Sequence, residues 1–169
     1  FALAYARLAY NQMAGHWFAK RLPPEQLEDV KATIDRALAL APELPDAHLA
    51  LAYYYWGFRR YDDATVEFRR TLQLAPNNER ASQGLAYILR RRGQFDQALL
   101  QFQRVLALAP GNRENWGEFG ITYEVLRRYP EALAQLNRAL AMDPDYEDAR
   151  DFLVRALLFG SGEAAKARV

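Results

Sequence analysis

Four of the chain's eight prolines, Pro42, Pro76, Pro110 and Pro144, stand 34 residues apart, and a period of this length restricts a chain to folds that stack one supersecondary unit on the next. The residues around each rung agree. Leu38-Ala39-Leu40-Ala41-Pro42, Leu72-Gln73-Leu74-Ala75-Pro76, Leu106-Ala107-Leu108-Ala109-Pro110 and Leu140-Ala141-Met142-Asp143-Pro144 are one phrase in four versions. A second phrase recurs in Arg60-Tyr61-Asp62-Asp63-Ala64, Gln94-Phe95-Asp96-Gln97-Ala98 and Arg128-Tyr129-Pro130-Glu131-Ala132.

Within a unit the apolar residues recur at helical spacing, with breaks where two helices would meet. From Arg113 onward, Trp116, Phe119, Gly120 and Tyr123 mark one face of a first helix, and Arg127-Arg128 a turn. Ala132, Leu136, Ala139 and Leu140 then mark a second helix that ends before Pro144, where the ring and the missing N–H stop it. Small Ala52, Ala86 and Gly120 let the first helix approach the second, and Ala64, Ala98 and Ala132 receive the contact. Tyr55, Leu89, Phe68 and Phe102 are expected to fill the space between. Asp62, Asp63, Asp96 and Glu131 fall at the starts of second helices, where a negative charge meets the positive end of the dipole.

This pattern resembles the tetratricopeptide repeat, W-x2-L-G-x2-Y, then A-x3-F, then P. Three units match in register: His48, Leu51, Ala52, Tyr55, Ala64, Phe68, Pro76; Ser82, Leu85, Ala86, Leu89, Ala98, Phe102, Pro110; and Trp116, Phe119, Gly120, Tyr123, Ala132, Leu136, Pro144. The resemblance implies an all-α, right-handed superhelical solenoid of four helix-turn-helix hairpins and a C-terminal capping helix. Its units are about 1–44, 45–78, 79–112 and 113–146, with the cap at 147–159 and a frayed, flexible tail over 160–169. The first unit departs from the pattern. Val30 replaces the small Ala, and if Tyr5, Leu8 and Ala9 are its signature positions the hairpin carries nine extra residues, absorbed by a first helix reaching about Lys20 and a Leu22-Pro23-Pro24 turn.

Composition removes several function classes. Without cysteine there is no disulfide framework, thiol nucleophile or Cys-based zinc site, and the compartment stays open. With 22 Lys+Arg against 21 Asp+Glu no global field favours a nucleic acid. The longest apolar run, Leu49 to Phe58, is about half of what a membrane span needs. His16 and His48 lie 32 residues apart with no partner at ligand spacing, so no metal is expected; His48 takes the signature Trp position and is expected to pack. Asp62-Asp63 and Asp143-Pro144-Asp145 sit at helix ends, where capping explains them. With no phosphate loop, nucleophile elbow or dinucleotide fingerprint, no catalysis and no cofactor are expected. Opening at Phe1, the chain is expected to be a piece of a longer protein.

Binding residues are better represented. Tyr53, Tyr54, Tyr55 and Trp56 spread around a helix, so some must be exposed. With Tyr55 in the core, Tyr53 and Trp56 share a face and are expected to look into the concave groove that the resemblance assigns to the first helices. Tyr87 and Arg90 follow at the same positions, beside Arg80 and Arg91. Aromatic residues and Arg dominate binding hot spots, so Tyr53, Trp56, Arg80, Tyr87, Arg90 and Arg91 are the candidate partner-binding residues. Glu114, Glu118 and Glu124 further along point to a ligand with both charges.

A protein or peptide partner is expected. Chaperone-binding repeat domains grip a C-terminal carboxylate with Lys, Asn and Arg, but Leu49, Ala50, Tyr53, Arg80, Gly84 and Tyr87 occupy those places, which disfavours a chaperone tail. Nucleic acid on Arg90-Arg91-Arg92 is a lesser reading, and stacking of Phe1, Tyr5 and Tyr10 on a second copy or on another domain of the same protein is the structural alternative. Phe1 to Ala9 and Leu51 to Tyr61 also resemble C-terminal repeat segments of bacterial signalling proteins, which implies a sensing or scaffolding arm.

Overall fold

The computed structural model describes residues 1–18 and 21–160. Among them are nine helices and no strand: α1 (Ala2–Phe18), α2 (Pro24–Leu40), α3 (Pro45–Gly57), α4 (Tyr61–Leu74), α5 (Glu79–Arg91), α6 (Phe95–Leu108), α7 (Arg113–Val125), α8 (Tyr129–Met142) and α9 (Glu147–Gly160). The all-α helical-repeat class is the one expected. Lys20, the expected end of the first helix, and the tail from Ser161 onward lie outside the described residues.

The period is visible in backbone geometry. Second helices stop at Ala41, Ala75, Ala109 and Asp143, each donating its N–H back to Ala37, Thr71, Val105 or Ala139 and each preceding a proline, which disfavours the helical region for the residue before it. First helices end in a left-handed residue at Arg59, Gly93 and Arg127, with φ of 57°, 72° and 57°. The next N–H, from Arg60, Gln94 or Arg128, reaches back to Tyr55, Leu89 or Tyr123 at 2.9 Å, so one Schellman-type turn closes three hairpins. Glycine adopts this conformation without a Cβ penalty, so Gly93→Ala is expected to cost about 1 kcal/mol in urea unfolding.

The structure divides into two compact units, Phe1–Leu85 and Ala86–Val169, with the boundary inside α5. In the first, α1 packs on α2 and α3, and α3 packs on α4. Its interior is held by Ile34, Val30 and Phe68, fully buried among alanines that include Ala9, Ala52 and Ala64. The hairpin of α1 and α2 takes up the extra length in two helices of 17 residues, against 13 and 14 in α3 and α4.

In the second unit α7 packs on α6 and α8, and α9 on α8 and α7. One cluster of Phe102, Phe119, Tyr123, Leu136 and small Ala86, Ala132 and Ala156 forms its core. Trp116 does more than fill space: its indole N–H donates to the Pro110 carbonyl at 2.8 Å and tethers the loop before α7. His48 makes the equivalent bond to the Pro42 carbonyl at 2.9 Å in the first unit. Ser82, at the same place in α5, is fully buried and its hydroxyl has no hydrogen-bond partner among the described residues. Ser82→Ala is therefore expected to raise the unfolding free energy by about 1 kcal/mol, read from the urea midpoint.

Candidate functional site

In the first unit the expected aromatic face is turned inward. Tyr53 and Trp56 are only 3% and 6% exposed, which corrects the expectation that they are exposed side chains looking into the concave groove. The cause is α1: Tyr10 meets the Tyr53 ring edge-on at 5.1 Å, while Trp56 and Phe68 close the other sides at 5.5 and 5.4 Å. Burial, and then the Tyr10 hydroxyl, push the Tyr53 phenol well above its usual range. Tyr55, expected in the core, is half-buried under the Arg60 guanidinium at 4.5 Å.

An open concavity adjoins this aromatic stack at Tyr10. Ala6, Arg7, Tyr10 and Asn11, on one face of α1 at helical spacing, join Asp46 and Leu49 of α3 and Arg80 of α5 around a cavity of about 330 Å³. Arg80 lies 4.6 Å over the Tyr10 ring, so the column Arg80, Tyr10, Tyr53 runs from exposed charge to buried ring. Arg7 and Asp46 face each other at 3.4 Å, both reaching solvent. Of the first unit's sequence candidates, Arg80 is the one that reaches this concavity. Arg7, Asn11 and Asp46 were missed; Tyr10, which stands one position after Ala9 as Tyr53 does after Ala52, carried the signal that could have found them.

In the second unit Arg90 is held inside the fold. Its guanidinium donates to a Glu118 carboxylate oxygen at 2.6 Å and to Thr122 Oγ1 and the Glu118 carbonyl at 3.2 Å, and it lies 5.5 and 5.7 Å from the Tyr87 and Phe102 rings. With both charged side chains less than a quarter exposed, Arg90→Ala is expected to cost about 2 kcal/mol in urea unfolding. Lysine should restore only part of this, because an ammonium lacks the planar fork. Tyr87 is half-buried against Phe102, and Arg91 is exposed. Glu124, expected to face a ligand, is 6% exposed and paired with Arg155 at 3.1 Å.

The remaining chemistry-bearing groups hold local structure. Asp63 pairs with Arg60 at 2.7 Å, and Asp143 pairs with Arg113 and accepts the Asp145 N–H, both at 3.0 Å. His48 lies between Glu67, at 2.7 Å, and Pro42. His16 accepts the Leu22 N–H through Nδ1 at 2.8 Å, and burial, followed by the Arg21 charge, lowers its pKa. Among the described residues no three His, Asp or Glu side chains converge as metal ligands, and no helix is long and apolar enough to cross a membrane.

The family pattern of the tetratricopeptide repeat matches residues 55–119. No curated protein matches the sequence significantly. Among solved structures, Pseudomonas aeruginosa pilF superposes with a TM-score of 0.78 at 17% identity, over 99% of this chain and 73% of its own. PilW, a widely conserved type IV pilus biogenesis factor, superposes at 0.77 with 21% identity, over 92% of this chain and 70% of its own. MamA from Desulfovibrio magneticus RS-1 superposes at 0.73 with 18% identity, over 97% of this chain and 90% of its own. At these identities the likeness is one of fold. The family match over residues 55–119 and the periodic turns agree with this likeness: the segment carries the tetratricopeptide repeat pattern, and the chain has the fold of tetratricopeptide repeat proteins.

Proposed function

We propose that this chain is a protein-interaction module of a larger bacterial protein, a scaffolding or sensing part that binds rather than catalyses. Its groove in the first unit takes an extended peptide segment with an acidic group. The observation that carries this reading is the concavity in which Arg7 and Arg80 flank Tyr10 above buried Leu49, with Asp46 as the one carboxylate among its lining residues. Two guanidinium groups beside the Tyr10 ring suit a carboxylate, and an Arg stacked on an aromatic ring is already oriented for that contact. The relatives from Pseudomonas aeruginosa and Desulfovibrio magneticus accord with a bacterial setting. In the second unit, taken by itself, Tyr87 and the exposed Arg91 are the remaining candidate residues, whereas Arg90 is occupied by Glu118. That pairing also takes one cation from the Arg90–Arg92 run and weakens the nucleic-acid reading.

A phage-displayed random peptide library selected on the wild-type chain tests this. Enriched peptides should share an Asp, Glu or free C-terminal carboxylate and bind Arg80→Glu about tenfold more weakly, since each factor of ten is about 1.4 kcal/mol. Peptides with no acidic preference, or with equal affinity for the variant, would overturn the groove assignment.

A further inference from the structure

The cavity beside Tyr10 is lined by charges of both signs, and the way they pair decides which acidic segments it can take. Arg7 Nε lies 3.4 Å from an Asp46 carboxylate oxygen, while Arg80 is stacked over the Tyr10 ring at 4.6 Å. Asp46 therefore offsets Arg7, and the lining of Arg7, Arg80 and Asp46 keeps a single positive charge. One ligand carboxylate cancels it. A second would be seated in a net negative cavity, and like charges brought together in this way select against a partner. A cavity of about 330 Å³ is about as wide as the ~8 Å over which physiological salt screens charge, so any residue seated in it feels Asp46.

The repeat does not dictate these signs. Asp46 and Arg80 stand 34 residues apart, each the second residue of its helix, α3 or α5. The positive end of the dipole favours the carboxylate there and disfavours the guanidinium, so Arg80 sits against the local field. The dipole accounts for an acid at position 46. It does not account for the approach of that acid to Arg7, 39 residues earlier on another helix. With side chains 68% and 36% exposed, the pair adds little to stability, and its effect falls on what enters the cavity.

We propose that Asp46 is the specificity-determining residue of this groove: it admits a segment with one acidic residue among neutral or basic neighbours and rejects an acidic run. This inference rests on the groove reading above and names the class of segment that the groove selects.

The probe is the acidic peptide most enriched by library selection on the wild-type chain, resynthesised with both neighbours of its acid as Asn or as Asp and titrated calorimetrically. Wild type should bind the Asn-flanked peptide about tenfold more tightly than the Asp-flanked one, and Asp46→Asn should bind the two within about twofold. Asp46→Glu, which keeps the charge, should keep the preference. Salt at about 1 M, where the Debye length falls to ~3 Å, should shrink it. Equal affinity of wild type for the two peptides, or a preference that survives Asp46→Asn in a chain of wild-type circular dichroism, would overturn the proposal and leave the groove standing. An Asn-flanked peptide bound equally by wild type and Arg80→Glu would overturn the groove reading, and this inference with it.

Discussion

Replacing Phe102 by Ala is expected to lower the unfolding free energy by about 4 kcal/mol, the largest loss from any single truncation considered in this chain. The ring is fully buried, with Tyr87 and Phe119 centroids at 5.9 and 6.3 Å and the Arg90 guanidinium 5.7 Å above it. A cavity there cannot close easily. Ala86 and Ala98 offer no side chain to swing in, and Arg90 is fixed by Glu118 and Thr122. The transfer term and the cavity term therefore add. Phe102→Leu, which keeps most of the volume, should cost about 1.5 kcal/mol or less. Urea unfolding followed by circular dichroism separates the two, and a loss under about 1 kcal/mol for the Ala variant would show that the second unit repacks around the gap.

The second large effect is at Gly84. In an exposed helix Gly→Ala is worth about 1 kcal/mol of added stability from backbone entropy alone. Here the sign should reverse. A Cβ at Gly84 would fall 2.2, 2.5 and 2.6 Å from the tip of the Phe68 ring, and that ring is fully buried with Tyr53 edge-on against it. Overpacking of this kind should leave Gly84→Ala less stable by about 2 kcal/mol. Shortening the ring relieves the clash, so Phe68→Leu should cost less in the Gly84→Ala background than in wild type, with a coupling of at least about 1 kcal/mol in the double-mutant cycle. A Gly84→Ala variant more stable than wild type would contradict the close approach of α5 to Phe68.

The sequence shows the hairpins because their structural positions repeat. The proline rungs and the small residues at 52, 64, 86, 98, 120 and 132 are imposed by helix ends and helix contacts that every unit shares. The left-handed turn at Arg59 and Arg127 was hidden, since only Gly93 carries the residue such a turn favours. The binding face was harder still. Periodicity separates the side of α3 that meets α4 from the other sides, but it is silent on the contact with α1, where Tyr53 is buried against Tyr10. Arg90 looked like an exposed hot spot because its partner Glu118 is 28 residues away on another helix. Arg80 could be recognised as a binding residue, whereas its setting over Tyr10 depends on a contact between α5 and α1 that no local pattern encodes.

The groove is tested most directly by a charge swap. Calorimetric titration of an acidic library-selected peptide should give an affinity for Arg80→Glu about tenfold below wild type, and the same peptide with its acidic residue changed to Lys should regain that loss on the variant while binding wild type poorly. A Lys peptide that binds both chains equally, or an acidic peptide indifferent to Arg80→Glu, would contradict recognition of an acidic segment at Arg80.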